Sequence, residues 1–424
     1  MSNEFTIVNL RDTDGKAQEI AVKDGQFVSA ETLSAAAKRI DGAGLTVVPG
    51  LVDLHTHLRE PGREDAETVL TGSQAAVAGG YTAISAMPNT SPVADTAGVV
   101  EQVYRLGKTH GLCDVFPIGA VTVGQGGTQL AELSAMNESE AAVRIFSDDG
   151  HCVSDSLVMR RALEYVKRFD GIIAQHAQDP RLTIDAQMNE GSVSAKLGLK
   201  GWPAAAEESI IARDLLLAQH VGSRLHICHV TTAGGVELIR WAKERGIAVT
   251  AEVTPHHLLL TDDLAASYDP VFKVNPPLRT ERDVAALREG VVDGTIDIIA
   301  TDHAPHPAEA KECEWPAAAF GMVGLETALS VAYLALVKSG LFSLTDLISR
   351  MSEAPARIAG YRDHGAIEIG KPANFFLFDP SLEWSVVRED LRSKSKNSPF
   401  NGLTLPGVVR ATYFQGQSVF GGLS

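Results

Sequence analysis

Cysteine is scarce in this 424-residue chain: Cys113, Cys152, Cys228 and Cys313 are the only four, and no two stand in a Cys-x-x-Cys spacing. That excludes a disulfide framework and a structural zinc knuckle, and leaves the thiols as buried or incidental groups. Basic residues are short as well, 37 Lys and Arg against 53 Asp and Glu, for a formal charge of −16. Nucleic acid and anionic membrane surfaces are held by clustered cations that the chain lacks, so neither is expected as a partner and a small molecule is favoured. No apolar run is long enough to span a bilayer, and no basic-then-apolar leader lies between Met1 and Ala21, so a cytoplasmic location is expected. What remains is a globular composition, 45% hydrophobic and 21% charged, with length for one large α/β domain and something smaller.

The ends of the chain read as β structure. Up to about Val48, short alternating strands are broken by Asp14-Gly15, Asp24-Gly25 and Asp41-Gly42, each a hairpin signal, and residues 365–379 and 407–420 have the same character. Neither end carries enough strands for its own core, so residues 1–49 and 365–424 are expected to pair into one small β-sandwich domain. Residues 50–364 alternate strand-like runs (51–57, 82–87, 114–120, 142–147, 171–176, 225–230, 247–253 and 297–301) with amphipathic helical ones such as 68–78, 157–169, 207–219 and 234–244. Eight strands, most followed by a helix, predict a distorted (β/α)8 barrel; a doubly wound sheet is the alternative, without a Gly-rich phosphate fingerprint after its first strand. Ser393 to Asn401, rich in Lys, Ser and Asn, reads as a mobile loop, and Pro305 to Pro316 is long enough for a lid.

In such a barrel, function gathers where the carboxyl ends of the strands converge. Alternation along the first strand puts His55 and His57 on one face, about 6 to 7 Å apart along the chain, which suits two imidazoles on one cation. Other strand ends carry Asp148 and Asp149, His176, His229 and Asp302. Singly, each has a bland reading: His176 as a core histidine, Asp148 or Asp149 as a helix cap. Together, four imidazoles and two carboxylates at one mouth suit Zn2+, two ions if one carboxylate bridges. Asp302 follows a buried apolar strand, where an unpaired carboxylate is costly, so it demands a charged partner. His226 and His229 face opposite sides of their strand, and His229 is nearer its carboxyl end. His226 is left unassigned, and His256 and His257 are candidates for supporting or lid residues.

His55-Thr56-His57 with Leu58-Arg59-Glu60-Pro61-Gly62, then Met87-Pro88-Asn89-Thr90, Phe146-Ser147-Asp148-Asp149-Gly150, His229-Val230-Thr231-Thr232, Asn275-Pro276-Pro277-Leu278-Arg279 and Asp302-His303-Ala304-Pro305-His306 follow one another in order. In this set and spacing the chain resembles the dihydroorotases of the amidohydrolase superfamily, in their longer bacterial type I class. The resemblance implies a zinc centre of two ions ligated by His55, His57, Asp149, His176, His229 and Asp302, the second expected to be held more weakly because an aspartate bridge is shorter than the carboxylated lysine of other superfamily members. Many superfamily members bridge their metals with a carboxylated lysine. No lysine lies between Ala141 and Val166, so Asp149 takes the bridge by resemblance, which argues against hydantoinases and dihydropyrimidinases.

The reaction implied is reversible closure of N-carbamoyl-L-aspartate to L-dihydroorotate with loss of water, a step of pyrimidine synthesis. Metal-bound hydroxide is its nucleophile and Asp302 its general acid and base, so low pH should favour closure and high pH hydrolysis. Arg59, two residues beyond His57 and on the same face, can grip the substrate's unreacting carboxylate in a bidentate way. By resemblance His57, Asn89 and His306 also meet substrate, while Asn275 and the backbone at Phe320 and Gly321 hold the ring amide. Allantoinase or hydantoinase activity is one rival, and a catalytically silent partner of aspartate transcarbamoylase, which would have lost ligands, is another. The resemblance leaves room for a homodimer and for association with aspartate transcarbamoylase, which the family sometimes shows, and neither is legible in these residues.

Overall fold

The computed structural model describes residues 4–423. Its central feature is built from short runs of apolar and β-branched residues that pair only in parallel. Leu51–Thr56, Tyr81–Ala86 and Asp114–Pro117 form one sheet, and Ile145–Phe146, Ile172–Gln175, Arg224–Ile227, Val249–Val253 and Ile298–Ile299 form a second. Two parallel bridges, Gly119 to Phe146 and Thr56 to His303, connect the sheets at both edges, so the eight strands follow a closed path. Each lies close to its expected position, most being shorter than expected and the fourth and eighth reduced to two residues. Helices Val69–Ala78, Ala97–His110, Ser156–Val166, Ala204–Val221, Ala233–Glu244 and Glu281–Asp293 alternate with them. Their starts carry the local chemistry that favours them: Thr68, Asp155, Thr232 and Thr280 each cap first-turn N–H groups.

Because parallel strands are covered on both faces, apolar side chains pack on both sides. Val52, Leu54, Ala83, Ile118, Ile145, Ile172, Ala174 and Ile298 form an inner cluster, joined by Ala354 and Ile358 of the helix Glu353–Ala359. A larger layer fills the space between strands and outer helices. With one end of the path packed by apolar residues, the polar side chains collect at the other, the carboxyl ends of the strands. Among the described residues, no helix is long and apolar enough to cross a membrane.

Both termini contribute to one further sheet, in the order Gln417–Gly421, Thr404–Phe414, Phe375–Ser385, Thr46–Pro49, Glu4–Arg11, Ala17–Lys23, Gln26–Val28. Thr46–Pro49 pairs antiparallel with Phe375–Phe378 and runs on into Leu51–Thr56, so this sheet is continuous in sequence with the first parallel strand. Asp14-Gly15 and Asp24-Gly25 are hairpin turns, as expected. Asp41-Gly42 is not. Lys38–Asp41 and Thr46 both run parallel to Glu4–Arg11, and Gly42 N and Gly44 N bond Val8 O and Asn9 O, so this segment is a break within one edge of the strand.

The expectation of a mobile loop at 393–401 is also corrected. Ser393, Ser395, Asn397 and Ser398 are buried. Ser393 Oγ donates to Glu67, Lys394 N donates to Glu67 Oε1 (3.1 Å), and Ser395 Oγ donates to Ala66 O (2.6 Å). Short polar side chains that suggest solvation here satisfy buried backbone and a buried carboxylate instead. The 305–316 segment is likewise tied down: Lys273 Nζ donates to Trp315 O (2.7 Å), and Lys311 Nζ donates to the carbonyls of Lys273, Ala319 and Gly321, each at 3.0 Å.

Candidate metal centre and active site

Pairing between the first and second parallel strands slips by one residue between Asp53 and Thr56. Such a bulge re-aims the residues beyond it. His55 and His57 project together from it, their ring centroids 5.4 Å apart. Asp53, fully buried, accepts from His55 N (3.0 Å) and Thr301 N (3.2 Å) and so ties the first strand to the eighth. Backbone strain accumulates at this end: Arg59, His229 and Asp302 all have positive φ, at 63°, 29° and 46°. Non-glycine residues rarely adopt that conformation, and it persists where surrounding contacts enforce it.

The six expected side chains meet. His57 Nε2 lies 3.1 Å from Asp302 Oδ1 and 3.4 Å from Asp149 Oδ2, and His55 Nε2 lies 3.5 Å from both Asp149 Oδ1 and Asp302 Oδ1. On the other side of Asp149, His176 Nδ1 and His229 Nε2 approach its Oδ1 at 3.1 and 3.0 Å and each other at 2.9 Å. Asp149 therefore stands between a His55, His57, Asp302 group and a His176, His229 pair. Asp148 does not join them; it accepts from Val121 N and Thr122 N and bonds the Thr122 hydroxyl, holding the preceding loop.

Three of the imidazoles have their outward nitrogen engaged by an oxygen. His55 Nδ1 donates to Glu252 Oε1 (2.5 Å), His57 Nδ1 to Asn89 Oδ1 (2.9 Å), and His176 Nε2 to Gln178 Oε1 (2.7 Å). With a cation held between the rings, each such bond would commit the ring proton outward and turn the other nitrogen's lone pair inward. Glu252 and Gln178 escaped the sequence reading. A glutamate within the apolar run Ala248 to Val253 was the available signal, since a buried carboxylate needs a partner. Gln178 left no signal, because its reach to His176 depends on how the loop after the fifth strand turns. His226 belongs to this support: its Nε2 donates to Glu252 Oε2 (3.1 Å). His257 is a brace between Thr254 Oγ1 (2.7 Å) and Pro276 O (3.1 Å), while His256 Nε2 is buried without a partner.

The electrostatics follow from this crowding. Burial opposes ionisation of Asp149, but His55 and His176 outweigh it and hold the carboxyl well below its usual range. Asp302 is held at about 2: burial works to raise it, and His55 and His57 prevail. Glu252 is likewise held far down by His55 and His226 against its burial. All three carboxylates are ionised at neutral pH.

Around this cluster lie the other expected contacts. Arg59 is 5% exposed, donates from Nε to Pro305 O (3.2 Å), and among the described residues forms no ion pair. Burial lowers its pKa to about 10, still leaving it cationic. Asn89 gives its oxygen to His57. Asn275 donates to Gln178 Oε1 (3.3 Å) and keeps a buried, unpartnered Oδ1. His306 donates from Nε2 to Phe320 O (2.7 Å), leaving a buried Nδ1 without a partner. Gly321 N is engaged by Lys273 O (3.0 Å).

These residues fit a metal. His55 Nε2 is a buried nitrogen with no hydrogen-bond partner, and donor atoms of His55, His57 and Asp302, and of Asp149, His176 and His229, lie within 4.8 Å of one another in each group. Imidazole with carboxylate is a donor set for borderline divalent cations.

A mixed α/β chain that brings four imidazoles and two carboxylates to the strand ends defines a metal-dependent hydrolase of the amidohydrolase type. Over its full length it is similar to the L-hydantoinase (dihydropyrimidinase) of Arthrobacter aurescens, with TM-score 0.88 and 27% identity, covering 100% of this chain and 98% of that one. Sequence relatives are closer. The dihydroorotase of Streptomyces coelicolor is 62% identical, with 95% of each chain covered, and that of Leifsonia xyli subsp. xyli is 60% identical over 98% of this chain and 96% of its own. Residues 44–234 match the dihydro-orotase-like family model. The chain belongs to the dihydroorotase family.

Proposed function

We propose that this chain interconverts N-carbamoyl-L-aspartate and L-dihydroorotate, as a type I enzyme with two zinc ions per subunit. Residues 50–364 are read as the distorted (β/α)8 catalytic barrel, supported by the closed parallel path, and 1–49 with 365–424 as the flanking β-sandwich domain. His55, His57 and Asp302 would hold one ion, His176 and His229 the other, with Asp149 between them. Ions bound there supply Lewis acidity, making water nucleophilic near neutral pH and polarising the amide carbonyl.

The chain's own residues do the rest. Asp302 takes a proton from the attacking water and delivers it to the departing ring nitrogen; in ring closure it runs the same path backwards. Glu252, Asn89 and Gln178 fix the rings of His55, His57 and His176. Asn275 Oδ1 accepts the ring N–H, and the Asn89 amide nitrogen donates to the unreacting carboxylate. His306 presents a lone pair at Nδ1, so its own contact with a carboxylate requires a protonated ring. In the neutral form it suits an N–H donor instead.

The observation that carries the substrate class is Arg59. A buried guanidinium that forms no ion pair among the described residues is costly unless a ligand supplies a carboxylate, and its planar fork matches one. Dihydroorotate carries that group, whereas hydantoin and allantoin do not. Metal content and turnover of dihydroorotate, hydantoin and allantoin, before and after chelation, test the reading. Dihydroorotate turnover that disappears on chelation and returns with zinc is expected. Preference for hydantoin or allantoin would reverse it.

A further inference from the structure

One side chain joins the substrate side of the site to the segment between the terminal strands. Residues 393–398 connect Phe375–Ser385 with Thr404–Phe414 and are anchored through Ser393, Lys394 and Ser395 to Glu67 and Ala66. From this anchored backbone Asn397, 6% exposed, accepts the His306 N–H at Oδ1 (3.2 Å). Its Nδ2 donates to Ala304 O (3.0 Å) and Gly321 O (3.1 Å). All three partners are backbone groups with fixed roles, so the amide has only one orientation that satisfies them. Its own carbonyl accepts from Val323 N (3.2 Å).

Asn397 thereby fastens two strand-end segments, 304–306 and 321–323, to each other. They pass closely: a Cβ on Gly321, whose φ is +146°, would stand 2.8 Å from His306 Nε2 and 2.9 Å from Ala304 O. The segments also pair directly, Ala304 N donating to Met322 O (2.8 Å) and His306 Nε2 to Phe320 O (2.7 Å), and Asn397 braces that pairing from a distant part of the chain. None of the three bonds reaches a candidate metal ligand.

We propose that Asn397 is a positioning residue for substrate: it holds the His306 and Gly321 segments in register and so sets affinity for the substrate without touching it. The inference rests on the dihydroorotase reading for the identity of the substrate, and on geometry alone for the clasp.

Asn397→Ala removes all three bonds, and Asn397→Asp keeps the acceptor while placing a carboxylate against two carbonyls. For both, KM for dihydroorotate is expected to rise about tenfold or more with kcat within about threefold and metal content unchanged. Amide exchange over 304–324 should quicken while that over 51–59 stays constant. The aspartate variant tests the same clasp should the alanine variant fold poorly. Unchanged exchange over 304–324 overturns the clasp, with or without turnover. Faster exchange with unchanged KM, or loss of kcat together with metal, overturns the role in substrate affinity. A wild-type chain that ignores dihydroorotate but exchanges as expected retains the clasp and refutes only the substrate reading.

Discussion

Glu252 Oε1 stands 2.5 Å from His55 Nδ1, and its Oε2 stands 3.1 Å from His226 Nε2. One buried carboxylate thus orients a candidate ligand of the cluster from the next-to-last parallel strand, with a second imidazole hydrogen-bonded on its far side. Supports of this kind typically affect metal affinity by about 10- to 100-fold. Glu252→Gln should weaken zinc binding by that order while leaving the far-ultraviolet circular dichroism unchanged. Competition with a chelator of known affinity measures it; equal affinity in variant and wild type would reduce Glu252 to a packing role.

Arg59→Met replaces the unpaired guanidinium with an apolar side chain of similar length. Truncating one partner of a buried charge pair costs about 2–5 kcal/mol, so kcat/KM for dihydroorotate should fall by at least about 30-fold, mainly through KM, with bound zinc intact. Loss of zinc in this variant would move Arg59 into support of the metal cluster.

The Asp302 carboxyl, held at about 2 by His55 and His57 against its burial, is in its base form throughout the neutral range. Hydrolysis should therefore be sustained as pH rises. Ring closure needs the acid form and should gain up to about tenfold in kcat/KM for each unit that pH falls. Steady-state rates in both directions from pH 6 to 9 check this; matching profiles would exclude a single acid/base group.

Glu326, which is none of the candidate ligands, offers a test of stability. Its carboxyl accepts Arg392 N (2.7 Å) and Ser393 N (3.2 Å), and burial pushes its pKa from 4.5 to about 7. The folded state then binds more protons than the unfolded state between those two values, so stability contributed by the protonated form is lost as pH rises through this window. Glu326→Gln should remove that loss, worth on the order of 2 kcal/mol for a partly buried group, and raise Tm at pH 8 relative to wild type while changing little at pH 4.5. Thermal melts at both pH values decide it, and an equal difference at the two would rule out ionisation as the cause.

The pattern of apolar runs and helix starts determined the alternation of strands and helices, because burial on both faces and first-turn caps are properties of local sequence. His55, His57, His176, His229 and Asp302 were legible for a related reason: each lies at the end of an apolar strand, where a polar side chain is conspicuous, whereas Asp149 was separated from Asp148 only by the family resemblance. Tertiary structure alone decided what surrounds them. The bulge that aims His55 and His57, and the burial of Ser393, Ser395 and Asn397 against Glu67, Ala66 and His306, join residues far apart in the chain, while the reach of Gln178 to His176, two residues away, depends on how the intervening loop turns. Short polar residues look the same in sequence whether water or a buried backbone group satisfies them, and only the folded chain distinguishes the two.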